Sequence, residues 1–426
     1  MAIVVILIFG ISLLLGLPIA FVLGLTSLSV AYFEDYILVQ WAQRFFSGLD
    51  SFTLLAVPFF ILAGELMNTG GITNKLIDFA QYVVGRIKGG LGLTNVLVSM
   101  LFAGISGAAV ADTSAIGSVM IPSMIEKGYD REYSTAITVA SGAAGPIIPP
   151  SILMVLYGIT TGVGIGGLFI AGIIPGIIMG IGMMILAYIF AKINDYPRME
   201  KEFKAREFLI KLKDVTIPLL APVIIVGGIL SGIFTPTEAA SVAVLYAFIV
   251  SVFVFKETNL CDLPEILFST AKLTGVILII VGFADTFAWI VSMNRIGQTI
   301  ALQIQSFTTS PLVFLLLVNI FLLIVGMFME AGAAILVLAP ILAPVAAQYG
   351  IHQLHFGFIM VLNLTIALST PPLGLSLFVG SKISGLGLKD LSIAIFPFIL
   401  YLVLILFLLT YVPAISMWLP KLSGLY

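Results

Sequence analysis

The chain has 426 residues, of which 60% are hydrophobic and only 9% charged, and its formal net charge is −2. That composition excludes a soluble globular enzyme and marks an all-α polytopic membrane protein, and so even a charge balance gives no footing for a nucleic-acid partner. The single cysteine, Cys261, excludes an internal disulfide.

Residues 2–33 would make a helix of roughly 50 Å against a hydrocarbon core of about 30 Å. They therefore predict either one strongly tilted span or two spans meeting near Gly16-Leu-Pro18. With Glu34 as the first charge, there is no basic n-region, and the segment reads as a retained membrane helix and not a cleaved signal. A span is expected over 51–67. Over 74–88 the residues Lys75, Asp78, Gln81, Arg86 and Lys88 punctuate apolar positions, which predicts an amphipathic helix in the interface. Residues 91–127 are apolar but interrupted at Gly104-Ile-Ser-Gly107 and Asp112-Thr-Ser114, a pattern that suggests a re-entrant hairpin. Over 133–160 the run Ser141-Gly-Ala-Ala-Gly-Pro-Ile-Ile-Pro-Pro-Ser151 should prevent any helix from closing its hydrogen bonds. In lipid, backbone groups freed this way must be shielded by protein or line a wet cavity, so a broken helix is expected there. A span at 166–192 follows.

The only long polar stretch comes next. Residues 192–214 hold Lys192, Arg198, Lys201, Lys204, Arg206, Lys211 and Lys213, which predicts a cytoplasmic linker over 193–214. Spans are then expected near 215–233 and 238–256, separated by Phe234-Thr-Pro-Thr-Glu238, and at 267–292. An amphipathic piece at 296–307 precedes a second apolar hairpin at 312–348, interrupted at Met329-Glu-Ala-Gly332. A second broken helix at 356–384 carries Ser369-Thr-Pro-Pro372, and a span at 390–413 completes the pattern.

An interval of 222 relates Pro149 and Pro150 to Pro371 and Pro372, and likewise Gly104 to Gly326, Pro122 to Pro344, Gly128 to Gly350, Gly158 to Gly380 and Pro175 to Pro397. Chance gives roughly one such match over the window, so residues 1–192 and 215–426 read as two copies of one unit. Arg86, Lys88, Lys127 and Arg131 flank the base of the first hairpin, whereas residues 304–311 and 348–355 at the base of the second carry no Lys or Arg. The first base should face the cytoplasm and the second the outside, which makes the repeat inverted, with about ten spans and two re-entrant hairpins.

Several stretches together resemble a known family. They are Gly16-Leu-Pro-Ile-Ala-Phe-Val-Leu-Gly24, the run from Phe102 to Met124, Ile147-Ile-Pro-Pro-Ser151, Ala171-Gly-Ile-Ile-Pro-Gly176, Gly232-Ile-Phe-Thr-Pro-Thr-Glu-Ala-Ala240, and Val361-Leu-Asn-Leu-Thr365 with Ser369-Thr-Pro-Pro372. In this combination the chain resembles the large membrane subunit of tripartite ATP-independent periplasmic (TRAP) transporters. The resemblance implies an elevator-type secondary transporter in the bacterial inner membrane, driven by sodium. It also implies two partners, a small four-helix membrane subunit and a soluble periplasmic binding protein. The latter delivers a carboxylate such as a C4-dicarboxylate, sialic acid or a related sugar or keto acid.

Sodium prefers hard oxygen ligands, and small residues let backbone carbonyls turn toward it. One sodium site is expected where Ser106, Gly107 and Ser114 of the first hairpin, beside Asp112 and Thr113, meet Gly142, Gly145 and Pro149. The repeat-related site would use Gly326, Gly332, Thr365, Ser369 and Thr370. Ser106, Asp112, Thr113, Ser151, Glu330 and Ser369 are the residues expected to hold substrate, through hydroxyls and helix N-termini. As intramembrane acids, Asp112 and Glu330 are functional candidates, with helix capping the competing role for each. No Walker-type loop or catalytic cluster stands out, so neither direct ATP drive nor enzymatic activity is expected. A self-sufficient sodium/divalent-anion symporter and a passive channel are the alternatives.

Overall fold

The computed structural model describes residues 2–199 and 204–425, so Lys201 of the polar linker lies outside the described residues. All regular structure among them is helical. The first half comprises α1 (Ala2–Leu14), α2 (Ile19–Phe33), α3 (Leu38–Leu49), α4 (Ala56–Thr69), α5 (Ile72–Val84), α6 (Gly90–Ser106), α7 (Ala109–Glu126), α8 (Arg131–Ser141), α9 (Ile152–Thr161) and α10 (Ile165–Ile193). The second half comprises α11 (Ala205–Leu230), α12 (Pro236–Ile249), α13 (Leu263–Met293), α14 (Ile296–Phe307), α15 (Pro311–Phe328), α16 (Ala331–Gln348), α17 (Gln353–Ala367), α18 (Leu375–Ser384), α19 (Leu388–Tyr411) and α20 (Pro413–Leu422). Among the described residues, seven helical segments are long and apolar enough to cross a membrane, and both α15 and α16 are among them.

Residues 2–33 form two helices, parted where Gly16 takes φ 75° and Pro18 precedes α2. Phe9 of α1 packs at a tilt on Phe287 of α13, and Gly24 of α2 faces Phe283 one turn away. The two short helices therefore run side by side as a hairpin. The first hydrophobic hairpin breaks once, at Gly107 and Ala108. The expected second interruption at Asp112–Ser114 instead lies within the first two turns of α7, where an acid such as Asp112 suits the helix start. In the second hairpin the break is at Met329 and Glu330.

Three elements depart from the sequence pattern. α3 was not anticipated; it is amphipathic and packs on α13. α11 begins at Ala205, so the linker expected over 193–214 is helical in its second part. α20 extends the chain beyond the last expected span.

The non-helical part of the linker is a strap across the ends of α5 to α8. The Gly89 amide donates to the Pro197 carbonyl at 3.3 Å, and the Met199 amide to Gly85 at 3.0 Å. Tyr129 accepts from the Leu91 amide at 3.2 Å and donates to the Pro197 carbonyl at 3.0 Å. The Tyr196 hydroxyl donates to Asp130 at 2.6 Å, and Lys88 pairs with Asp195. Lys88 holds the Asp195 carboxyl below the usual carboxylate range by hydrogen bond and charge, while burial raises the Tyr196 hydroxyl.

Helix bounds recur at the interval of 222. Adding it to α6 and α7 gives 312–328 and 331–348, which fall on α15 and α16, and adding it to α9 gives 374–383, which falls on α18. The halves interlock: α2 packs on α13 and α12 on α4, while α7 packs on α18 and α16 on α9.

Candidate functional site

The breaks in the two discontinuous helices are brought together at the centre of this interlock. The first, between α8 and α9, passes through a short 3-10 turn at Gly142–Ala144 and the cis Pro149–Pro150 peptide. The second, between α17 and α18, carries the cis Pro371–Pro372 peptide. The Ser369 hydroxyl in the second break donates to the Val139 carbonyl of α8 at 3.3 Å. Gly380 of α18 packs against Val139 and Thr135, and Gly357 of α17 lies against the Tyr157 ring of α9.

The turn between α6 and α7 docks onto the first break. Gly107 has φ 64°, and a Cβ there would stand 2.7 Å from the Pro150 carbonyl oxygen, so only glycine meets both conditions. The Ser106 hydroxyl donates to one oxygen of Asp112. Asp112 is fully buried; its other oxygen, Oδ2, takes no hydrogen bond among the described residues and lies against Gly145. A Cβ on Gly142 would stand 2.6 Å from the Thr113 hydroxyl oxygen. Ser151 caps α9, its hydroxyl accepting from the Met154 amide at 3.2 Å. Ser106, Gly107, Asp112, Thr113, Gly142, Gly145, Pro149 and Ser151 thus share one neighbourhood. Ser114 does not join them, because one residue on from Thr113 its side chain turns to the exposed face of α7.

The second neighbourhood is built differently. Gly326 packs against Leu364 and Ala367 of α17, which places the end of α15 beside the helix that leads to the second break. Thr365 and Thr370 are buried there, both donating their protons to carbonyls of α17, to Val361 at 2.7 Å and Ile366 at 2.8 Å. Their oxygens keep lone pairs, but their protons are committed. Glu330 is exposed, and its carboxylate accepts from the Gly332 and Ala333 amides at 2.9 and 2.8 Å. It is the N-cap of α16, the capping role that the sequence offered beside a ligand role. Gly332 faces Leu156 of α9 and the Glu330 carboxylate.

Three groups escaped the sequence reading. Asn95 donates to Thr138 at 2.6 Å and accepts from Ser141 at 3.3 Å, which ties α6 to α8. Asn363 donates to the Asn319 side chain at 2.8 Å, and Asn319 donates to Thr410 at 3.1 Å, tying α15, α17 and α19. Ser376, at the start of α18, buries its hydroxyl with no partner among the described residues. The signal available was the rarity of asparagine in apolar runs, since a lone amide in lipid needs a partner.

Chemically, the first neighbourhood offers a cation a carboxylate oxygen, a hydroxyl and carbonyls freed by the broken helix. Around the second break the Ser369 and Thr370 protons and the Gly374, Ser376 and Leu377 amides are already taken by carbonyls, and the buried Ser376 hydroxyl at the start of α18 is the donor left without a partner among the described residues.

The model of the family described as "Tripartite ATP-independent periplasmic transporter, DctM component" matches residues 5–415. The C4-dicarboxylate TRAP transporter large permease protein DctM of Pseudomonas aeruginosa is 42% identical over 404 residues, covering 95% of this chain and 94% of that protein. The sialic acid TRAP transporter large permease protein SiaM of Vibrio cholerae is 39% identical and covers 96% of this chain and 95% of its own length. An isethionate TRAP transporter permease protein DctMQ of Oleidesulfovibrio alaskensis is 38% identical over 96% of this chain but only 65% of that longer protein. Among solved structures, the YdaH transporter of Alcanivorax borkumensis superposes with a TM-score of 0.61 at 14% identity, over 88% of this chain and 87% of that one, a likeness of fold alone.

Proposed function

The chain belongs to the DctM component family of tripartite ATP-independent periplasmic transporters, and from that premise we propose that it is the large permease of a sodium-driven importer of an organic anion. It is a multi-pass membrane protein, assigned here to the bacterial inner membrane. It works with a small membrane subunit and a soluble binding protein that delivers the substrate. The relatives' named substrates are C4-dicarboxylates, sialic acid and isethionate, so the cargo is read as a small carboxylate or a similar oxyanion. Residues 1–192 and 215–426 are the two inverted repeats, 91–127 and 312–348 the re-entrant hairpins, and the intervening residues a cytoplasmic linker.

The observation that carries this reading is the buried Asp112 oxygen held against Gly145 at the first break. A carboxylate with a free, buried oxygen stabilises a cation and repels an anion. Asp112 is therefore assigned to sodium, with Ser106 and the carbonyls of the Gly142–Pro149 stretch. The substrate's acid group is assigned to the second break beside Ser369, where the buried Ser376 hydroxyl at the start of α18 has no partner among the described residues. Thr365 and Gly326 lie beside a second sodium position, served by carbonyl and hydroxyl oxygens. Sodium binding at the junction of hairpin turn and broken helix favours the state in which the two are docked. Differential affinity of that kind is what an elevator needs to move only when loaded.

The testing experiment is uptake into proteoliposomes under an inward sodium gradient. Concentrative uptake is expected only with the small subunit and the loaded binding protein both present. Robust accumulation of free substrate by the purified chain alone would instead establish a self-sufficient symporter. Flux without saturable counterflow would establish a channel.

A further inference from the structure

The first turns of α11 present two faces of opposite character. Phe208, Lys211, Val215 and Pro218 face inward: Phe208 stacks near Phe79 and Tyr82 of α5, Lys211 pairs with Asp78 at 3.6 Å, and Val215 and Pro218 are buried. Arg206, Leu209, Ile210 and Lys213, spaced i, i+3, i+4 and i+7, lie on the opposite face, and all four are exposed. Leu209 is 62% and Ile210 54% accessible. Neither Arg206 nor Lys213 has an ion-pair partner among the described residues, whereas Lys204 and Lys211 both do. Among the described residues the nearest acids, Glu207 and Asp214, are half-buried at the edge of this stripe, and Glu207 is paired with Lys204. Beyond Lys213 it continues as exposed apolar surface through Leu220 and Val223.

A 26-residue helix is about 39 Å long, more than the roughly 30 Å of hydrocarbon, so its first turns reach the headgroup layer. Arg206 and Lys213 stand about 10 Å apart along the axis, with two aliphatic side chains between them. We propose that this face of α11 is a binding site for an anionic phospholipid. Arg206 and Lys213 take the headgroup phosphate, and Leu209, Ile210, Leu220 and Val223 take the acyl chains. The occupant follows from complementarity: two uncompensated cations sit at the polar end of a lipid-facing apolar stripe, where snorkelling side chains meet headgroups. The inference needs only that the chain is embedded in a membrane, and it stands apart from the transport reading.

The test is native mass spectrometry of the purified full chain with phosphatidylglycerol and phosphatidylcholine of matched acyl chains. Two cations near a membrane surface favour the anionic lipid by about thirtyfold. R206Q/K213Q is expected to bring the two lipids to parity, and K192Q/R198Q, which removes the same charge from the same polar stretch, to leave the preference intact. L209S/I210S should weaken lipid retention and spare any binding of soluble glycerol phosphate. Parity in the wild type overturns the proposal, as does equal loss in both glutamine pairs. Glycerol phosphate competing as well as the lipid itself overturns it in favour of a free-phosphate site. Substrate uptake by the assembled transporter is scored separately, so failure here is distinct from failure of the transport assignment.

Discussion

Asp112 and Glu330 show how position decides what an acid does. Both follow a hairpin turn in an apolar run, yet one is sealed against Gly145 with a free oxygen, and the other is exposed and satisfied by two amides. Asp112→Asn keeps the size and removes the charge. It is expected to raise the sodium concentration for half-maximal uptake by about tenfold or more, the scale of losing one buried charged ligand. An unchanged sodium dependence, measured in the assembled transporter, would move liganding onto carbonyls alone. Glu330→Ala should instead cost about 1 kcal/mol of stability, the worth of a cap, and leave the sodium dependence near wild type. Thermal unfolding in detergent, run beside the uptake assay, separates the two effects. Gly107→Ala combines a positive φ with a clash at the Pro150 carbonyl, so it should destabilise by about 1–2 kcal/mol and loosen the hairpin turn.

At the scale of elements, buried amides hold the hairpins to the broken helices. Asn319→Leu removes two side-chain hydrogen bonds, while Asn363 keeps the Asn319 carbonyl and Thr410 keeps the Leu406 carbonyl, and each lost bond of this kind costs about 1–2 kcal/mol in a membrane interior. The double replacement of Asn319 and Asn363 by Leu should recover part of that loss, because no polar group is then stranded. A double-mutant cycle on melting temperature checks this, and strict additivity would remove the pairing from the account.

The strap carries a pH dependence of defined sign. The Asp195 carboxyl lies below its usual range because of Lys88. Its contribution is therefore present above the ordinary carboxylate pKa and is lost as pH falls through the lowered value. The labelling rate of a cysteine at Arg198, divided at each pH by that of a free thiol so that the falling thiolate fraction cancels, should stay constant from neutral pH down to the ordinary carboxylate range and rise only below it. A rise already near neutral pH would contradict the assignment.

For the whole molecule, the interlock of the two halves means that neither can bury its apolar faces alone. α2 leans on α13 and α12 on α4, so the unit that folds is the whole chain. Orientation follows from charge. Cysteines at Lys88 and Lys127 should label only from the cytoplasm, and ones at Ser310 and Gly350 only from outside. Labelling of both pairs from one side would end the inverted arrangement and leave a parallel duplication.

The sequence alone determined the class of the molecule, the 222-residue interval and nearly every helix boundary in the hairpins and broken helices. Those features rest on local physics: apolar runs must be helical in lipid, and Gly and Pro interrupt them wherever they fall. It also brought out Ser106, Gly107, Asp112, Gly142 and Gly145 as one neighbourhood, since small residues and an acid at two breaks are visible as composition. Tertiary structure decided the rest. Ser114 and Thr113 are adjacent in the chain, yet a helix turns its faces by about 100° per residue, and only packing says which face meets the break. For Glu330 the sequence offered capping and ligand roles side by side, and the two α16 amides that reach its carboxylate show the cap. The amphipathic α3 and the extension of α11 into the polar linker were settled by contacts with α13 and α5. Short helices of that kind draw their stability from the surface they pack on, and that surface lies more than a hundred residues away in the chain.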